Sequence, residues 1–125
     1  MSEETGYEQR YVDMFGSLPP LPAKRIRYLA QADAQRLAEG EAARQRAFSG
    51  NAFGDKTTQL ILLAILASHA SPAVKWHMRA ARRAGARDAE IIDAIELAAA
   101  VATLGVQNTA YAALDDLARE DEAAR

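Results

Sequence analysis

The histidine at position 77 lies on the side of a predicted helix that should face the protein interior. Within residues 72–85, helical spacing places four basic side chains on one stripe: Lys75, Arg79, Arg82 and Arg83. The opposite stripe carries His77 among four alanines: Ala73, Ala80, Ala81 and Ala84. We expect the basic stripe to face solvent and His77 to point inward, with space beside its ring because alanine side chains are small. Such an imidazole either hydrogen-bonds a neighbour as part of the core or transfers protons to a ligand, and both interpretations stay open.

Two other titratable side chains are candidates for a site with His77. Glu96 lies in the middle of an apolar helical segment, so its carboxylate either faces solvent or pairs with Arg79 or His77. His69 is expected at the C-terminal end of a helix, where the negative end of the helix dipole favours a cation. Its role is therefore either to cap that helix or to contact a ligand.

Four further side chains are candidates for binding a ligand. Trp76, next to His77, is interpreted either as a core or interface aromatic or as a stacking platform. Gln107, Asn108 and Tyr111 follow one side of the last predicted helix. They would present amide and hydroxyl groups to a ligand on that side.

The composition excludes several classes of function. The 125 residues indicate one domain, and the formal net charge of −2 gives no support for nucleic-acid binding. The absence of cysteine excludes thiol redox chemistry and suits a reducing cytoplasm. The two histidines lie eight residues apart, which is not the spacing of a metal pair, so no metal is expected. Residues 1–7 lack an apolar signal segment and the apolar run 60–67 is too short for a bilayer, so no membrane is expected.

Helical periodicity covers nearly the whole chain, which predicts an all-α protein. In the first half the pattern predicts a helix over 7–15, a stiff proline-rich connector over 16–22, helical structure over 23–48 in two pieces with Asp33 capping the second, and a loop over 49–54. In the second half it predicts a helix from an Asp55 N-cap to about residue 70, a helix from 71–72 to Gly85, a helix from an Asp88 cap to about Leu104, a break at Gly105, a last helix over 106–118 and a frayed tail.

Two of these helices are apolar on nearly every side, over residues 60–67 and 91–102. A helix without a polar face must be surrounded by other elements, and a chain of this size surrounds two such helices only with difficulty. The pattern therefore favours a homo-oligomer in which neighbouring copies complete the cover. The alternative is an alanine-rich monomer, since alanine tolerates partial exposure.

Three blocks of sequence carry a resemblance to a known family: DKTTQLILLAILA at 55–67, WHMRAARRAGA at 76–86 and DAEIIDAIELAAA at 88–100. In order and spacing they resemble the carboxymuconolactone decarboxylase family, within the alkylhydroperoxidase D-like superfamily. The resemblance spans about residues 55–114 and implies one domain over 1–125, an all-helical alkylhydroperoxidase D-like bundle, and trimers or hexamers. Residues 1–22, the N-terminal helix and connector, lie outside the core motif, and we expect them to line or cover a pocket.

The chain departs from the peroxidase branch of that superfamily. The Cys-x-x-Cys pair of that branch falls here at Ala70 and Ala73, and its relay glutamate falls at about Thr58 or Gln59, while His77 is retained. The resemblance therefore implies decarboxylase-like chemistry without a cofactor on a small acidic substrate, a carboxylated lactone, ring or β-keto-type acid. His77 would donate the proton to carbon, and Arg79 or Lys75, from the same or a neighbouring subunit, would hold a substrate carboxylate unless solvent surrounds them.

Other functions are compatible with the same scaffold. A ring-opening, isomerising or cyclising enzyme also needs only a dry pocket and a proton-transfer group. A non-catalytic binding or assembly module would keep the scaffold without the chemistry. A thiol peroxidase is disfavoured, because the chain has no cysteine.

Overall fold

The computed structural model describes residues 3–125, with side chains from residue 5 onward, so the first two residues of the predicted domain lie outside it. Within that range all regular structure is helical, in six helices: α1 (Glu3–Phe15), α2 (Pro20–Ala32), α3 (Ala34–Phe48), α4 (Gly54–Ser68), α5 (Val74–Arg83) and α6 (Asp88–Ala123). The predicted all-α class is confirmed.

The first three helices follow the sequence pattern closely. Asp33 caps α3 as predicted, because its Oδ1 accepts a hydrogen bond from the Arg36 amide at 3.0 Å. The proline-rich connector is shorter than predicted, since α2 already begins at Pro20. Proline is tolerated in the first helical turn, where its missing amide hydrogen has no partner to lose.

The turn into α4 is built differently from the prediction. Asp55 is not the N-cap of this helix, which begins at Gly54 and has Asp55 inside its first turn. Asn51 organises the turn instead: its Oδ1 accepts from the Phe53 amide at 2.9 Å and it exchanges a hydrogen bond with the Thr58 hydroxyl. At the other end, His69 is the C-cap of α4, as predicted.

Helix α5 begins later than the sequence predicts, at Val74 rather than at residues 71–72. The Ser71 hydroxyl accepts a hydrogen bond from the Ala73 amide at 3.2 Å, so residues 71–73 form a separate turn before the helix. The helix ends before Gly85 as predicted, and Gly85 adopts the left-handed backbone conformation with φ of 96°.

The last helix corrects two predictions. Helix α6 runs unbroken from Asp88 to Ala123, so Gly105 does not interrupt it and most of the predicted frayed tail is helical. A glycine lowers helix stability by only about 1 kcal/mol relative to alanine, and alanine-rich turns on both sides offset that cost. Asp88 is the first helical residue rather than the cap, and Glu90 closes the helix start by accepting a hydrogen bond from the Arg87 amide at 3.0 Å. That hydrogen bond, together with Lys56 at 3.1 Å, lowers the pKa of Glu90.

The main core lies where α4, α5 and α6 meet. Its buried side chains are Leu63, Ala81, Ala86, Ile91 and Ala94. Helix α6 contributes only its first part to this core, and every residue from 99 to 125 is exposed in the single chain. At about 1.5 Å per residue, the 36-residue helix is roughly 54 Å long, so more than half of it extends beyond the bundle.

Candidate functional site

His77 lies on α5 and faces the bundle, as its position among the alanines predicts. Its Nδ1 lies 2.8 Å from Oε1 of Gln59, a residue of α4 that is only 4% exposed. Since the near atom of Gln59 is an oxygen acceptor, Nδ1 carries the hydrogen and the neutral ring keeps its lone pair on Nε2. Nε2 has no hydrogen-bond partner within residues 5–125 and is not fully buried, and His77 lines a cleft from which a ligand can reach it.

Aromatic rings, not small side chains alone, surround the His77 ring. Phe15 of α1 packs edge-on against it with ring centroids 5.1 Å apart, and Phe48 of α3 lies at 6.3 Å. Phe15 also contacts Trp76 at 5.7 Å. The expectation that alanines leave the ring's surroundings empty is therefore wrong on this side, because α1 and α3 fold over α5 and bring their aromatic residues to it.

This apolar cover changes the protonation of His77. Burial lowers the pKa of His77 below its ordinary value near 6.5, because a charged imidazolium loses its hydration there. The Gln59 amide is neutral and cannot compensate as a carboxylate would. The resting ring is therefore neutral at pH 7.

His77 opens on a cleft of about 510 Å³, which we call the proline–aromatic cleft. Its walls are Phe15, Phe48 and Trp76 together with three prolines of the connector and α2, Pro19, Pro20 and Pro22. A second, smaller cleft of about 340 Å³ lies beside it and includes Gln59. Tyr11, Arg44 and Phe48 line both clefts and separate them. A pocket of this size accommodates a small organic molecule.

A buried ion cluster forms the polar end of the proline–aromatic cleft, and the sequence did not reveal it. Glu41 of α3 is 3% exposed and accepts hydrogen bonds from Arg25 of α2 at 2.8 Å, from Arg44 at 3.1 Å and from the Tyr11 hydroxyl of α1 at 3.1 Å. Arg25 also donates to the Tyr11 oxygen at 2.6 Å. These four residues tie the first three helices together.

Electrostatics in the cluster keep the Arg25 guanidinium charged. Burial opposes the charge of Arg25, but its hydrogen bonds to Glu41 and Tyr11 outweigh that effect and raise its pKa. Burial and the nearby Glu41 carboxylate raise the pKa of Tyr11, which keeps its hydroxyl protonated. A single carboxylate thus neutralises one of two guanidinium groups, and the cluster keeps a net positive charge.

The predicted site residues around α5 lie in different environments. Trp76 is half-buried and lines the proline–aromatic cleft. Lys75 and Arg79 are exposed, with the Arg79 guanidinium 4.8 Å above the Trp76 ring. His69 is exposed at the end of α4. Neither Lys75, Arg79 nor His69 is among the residues lining either cleft of the single chain.

The candidates on α6 are not brought to His77 within one chain. Glu96 is exposed and makes no ion pair with any residue whose side chain the structure describes. Gln107, Asn108 and Tyr111 lie on the projecting part of α6, where all side chains are exposed. A role for these residues would require another subunit. Across the described residues, no three His, Asp or Glu side chains gather in a way that could hold a metal ion.

The all-helical arrangement of these six helices, together with a match to a protein family, supports an alkylhydroperoxidase D-like helical fold. A model of the carboxymuconolactone decarboxylase family matches residues 33–116, two thirds of the chain. The chain belongs to the carboxymuconolactone decarboxylase family, and a decarboxylase-like or alkylhydroperoxidase D-like function is supported at that level.

The family match extends further towards the N-terminus than the three sequence blocks, because it includes α3. Helices α1 and α2 lie before it, although they supply Phe15, Tyr11 and Arg25 to the cleft. Searches among curated proteins and among solved structures returned no match. No helix within residues 3–125 is long and apolar enough to cross a bilayer.

Proposed function

We propose that the protein is a cofactor-independent, decarboxylase-like lyase that acts on a carboxylated lactone, ring or β-keto-type acid, with His77 as its proton-transfer group. The observation that carries this proposal is the accessible Nε2 of His77 in the proline–aromatic cleft, while Nδ1 is fixed by Gln59. One nitrogen orients the ring and the other is free to react. A histidine serving only the core would have both nitrogens satisfied.

The chemistry needs few groups. The bond between the carboxylate carbon and the ring carbon breaks, CO₂ leaves, and the electron pair stays on the substrate as an enolate. The apolar walls disfavour the charged carboxylate before reaction and so favour its loss. His77, after taking a proton from solvent at Nε2, returns it to carbon. One solvent proton is consumed in each turnover, and the imidazolium gives it up readily because burial lowers its pKa.

A homo-oligomer, a trimer or hexamer, is part of the proposal. Leu97, Val101, Leu104 and Tyr111 follow one side of α6 and are between 54% and 69% exposed; we call them the α6 stripe. Every side chain of α6 from residue 99 onward is exposed, and a helix without packing partners is marginally stable in water. A second copy covering this stripe would stabilise it, and could bring Arg79, Lys75, Glu96 or Gln107 to a neighbour's cleft. A cytoplasmic location stays a prediction from composition.

A second candidate function is favoured by one observation, the neutral resting state of His77. A neutral imidazole can abstract a proton, which is the first step of ring opening, isomerisation or cyclisation. The two functions differ in the sign of their pH dependence. A proton donor loses activity as pH rises above the pKa of His77, whereas a base loses activity as pH falls below it.

The experiment that tests the proposal is the substitution His77→Asn, because the Asn side-chain amide can still donate to Gln59. CO₂ release is measured from a panel of carboxylated lactones, unsaturated ring acids and β-keto acids. We expect turnover to fall about 10²- to 10⁴-fold with the subunit number and melting temperature retained. His69→Asn is the matched control and should leave turnover within about twofold. Equal turnover in wild type and His77→Asn would refute the proposal, and so would the absence of CO₂ release from every substrate.

A further inference from the structure

We propose that Arg25 and Arg44 form an anion anchor that holds a carboxylate which stays on the ligand, at the polar end of the proline–aromatic cleft. The inference rests on the proposed function for its reaction, but the anchor itself is a binding site and can be tested without turnover. Both arginines line the cleft that contains His77. Neither was a candidate from the sequence.

The charges of the lining favour an anion. Two arginines line the proline–aromatic cleft and no aspartate or glutamate lines it. Glu41 neutralises one guanidinium, but it is 3% exposed and lines the second cleft rather than this one, so it repels a ligand here only weakly. The second positive charge has no protein counterion in the cleft. Guanidinium groups bind carboxylates through paired hydrogen bonds.

The Arg25 side chain has hydrogen-bonding capacity that the described residues do not use. Its Nη2 donates to Glu41 and Tyr11, whereas its Nη1 makes no hydrogen bond with residues 5–125 and is not fully buried, so it is available to a ligand in the cleft. Its Nε is buried without an acceptor, which is costly, and a ligand in the cleft does not reach it. Arg44 is 40% exposed and, among residues 5–125, makes one hydrogen bond, to Glu41, so the rest of its guanidinium is available.

The walls define the rest of the ligand. Besides the arginines and His77, the cleft is lined by the rings of Phe15, Phe48 and Trp76 and by prolines, which favour a flat apolar body. The ligand class is therefore a planar or near-planar organic acid, with its acid group at one end and its reactive carbon at the other, next to Nε2 of His77.

The anchored carboxylate is not the one that the proposed reaction removes. Two guanidinium groups would stabilise a carboxylate in the ground state and slow its loss, whereas the aromatic surroundings of His77 promote that loss. A substrate that satisfies both ends carries two acid groups, and its product keeps one. Arg25 and Arg44 are thus specificity determinants and do not take part in bond breaking.

The test measures the binding of benzoate, a flat monocarboxylate, by calorimetry on His77→Asn, so that no reaction interferes. Benzamide has the same shape without the charge, and inorganic phosphate has charge without an apolar body. We expect benzoate to bind at least tenfold more tightly than either, and Arg44→Gln to weaken it at least tenfold. Arg46→Gln is the matched control, since Arg46 is an exposed arginine of the same helix that lines neither cleft.

A second variant, Arg44→Lys, tests the anchor in case Arg44→Gln lowers the stability of the protein. Arg44→Lys keeps the charge next to Glu41 but loses the planar fork, and we expect benzoate binding to weaken severalfold with the melting temperature unchanged. Equal binding of benzoate and benzamide, or undiminished benzoate binding in both Arg44 variants, would overturn the anchor. Benzoate binding without any CO₂ release would refute the lyase and leave the anchor. His77-dependent CO₂ release without benzoate binding would refute the anchor and leave the proposed lyase function standing.

Discussion

The hydrogen bond between Gln59 and His77 allows a quantitative prediction of how the pKa of His77 changes when Gln59 is replaced. In Gln59→Glu a carboxylate of nearly the same shape replaces the amide, 2.8 Å from Nδ1 in a position that is 4% exposed. A carboxylate in contact with a histidine raises its pKa by about 1 to 3 units, and poor solvent screening at this position places the effect in the upper half of that range. Each unit corresponds to about 1.36 kcal/mol of preference for the charged ring.

The measurement is an NMR titration of the imidazole C–H signals. The chain has two histidines, so a His69→Gln background leaves only the signals of His77. In this background we expect a midpoint below 6.5 with Gln59, because burial lowers the pKa of His77, and a midpoint about 2 to 3 units higher in Gln59→Glu. Gln45→Glu is the matched control: Gln45 is exposed, lines the second cleft with Gln59 and makes no hydrogen bond with His77.

Activity should follow the same shift. If His77 donates a proton to carbon, the pH at which CO₂ release declines moves upward in Gln59→Glu by the number of units seen in the titration. If it abstracts a proton, the variant instead loses activity at neutral pH. An unchanged midpoint in Gln59→Glu would refute the contact between the two side chains. A midpoint at or above 6.5 in the unmodified pair would refute the desolvation of the ring.

Two further predictions concern stability and assembly. Glu41→Gln should lower the free energy of unfolding by about 1 to 3 kcal/mol in a urea titration at fixed protein concentration, because two arginines lose their counterion but remain partly solvated. The control Glu39→Gln changes an exposed glutamate and should alter the free energy of unfolding by less than about 0.5 kcal/mol. Equal effects of the two variants would show that the ion cluster does not stabilise the protein. Leu104→Lys should reduce the number of subunits measured by light scattering, because it places a charge in the α6 stripe. Thr109→Lys, on another side of α6, should leave that number unchanged. An unchanged mass for Leu104→Lys would exclude the α6 stripe as the contact between subunits.

The sequence predicted the features that depend on local spacing. The inward position of His77, the cap at Asp33 and the end of α5 before Gly85 all follow from patterns within a few residues, and the structure confirms them. The break at Gly105 was wrong because a single glycine is a weak signal against many alanines.

The ion cluster at the proline–aromatic cleft could not be predicted from local sequence patterns. Tyr11, Arg25 and Glu41 are 14 to 30 residues apart and belong to three helices, so only their tertiary packing brings them together. For Arg25 and Glu41 the sequence alone offers the more common interpretation of an exposed polar side chain. One signal was present: Glu41 falls four residues after the buried Leu37, on the same side of α3.

Half of the residues that line the proline–aromatic cleft precede residue 33, where the family match begins, whereas His77 and Gln59 lie inside it. Under the proposed function, the reactive group therefore lies in the part of the chain that the family model matches, and half of the residues that would select the ligand lie before it. Substitutions within residues 1–32 would accordingly be expected to change which ligands the cleft accepts, with His77 and the long C-terminal helix left untouched.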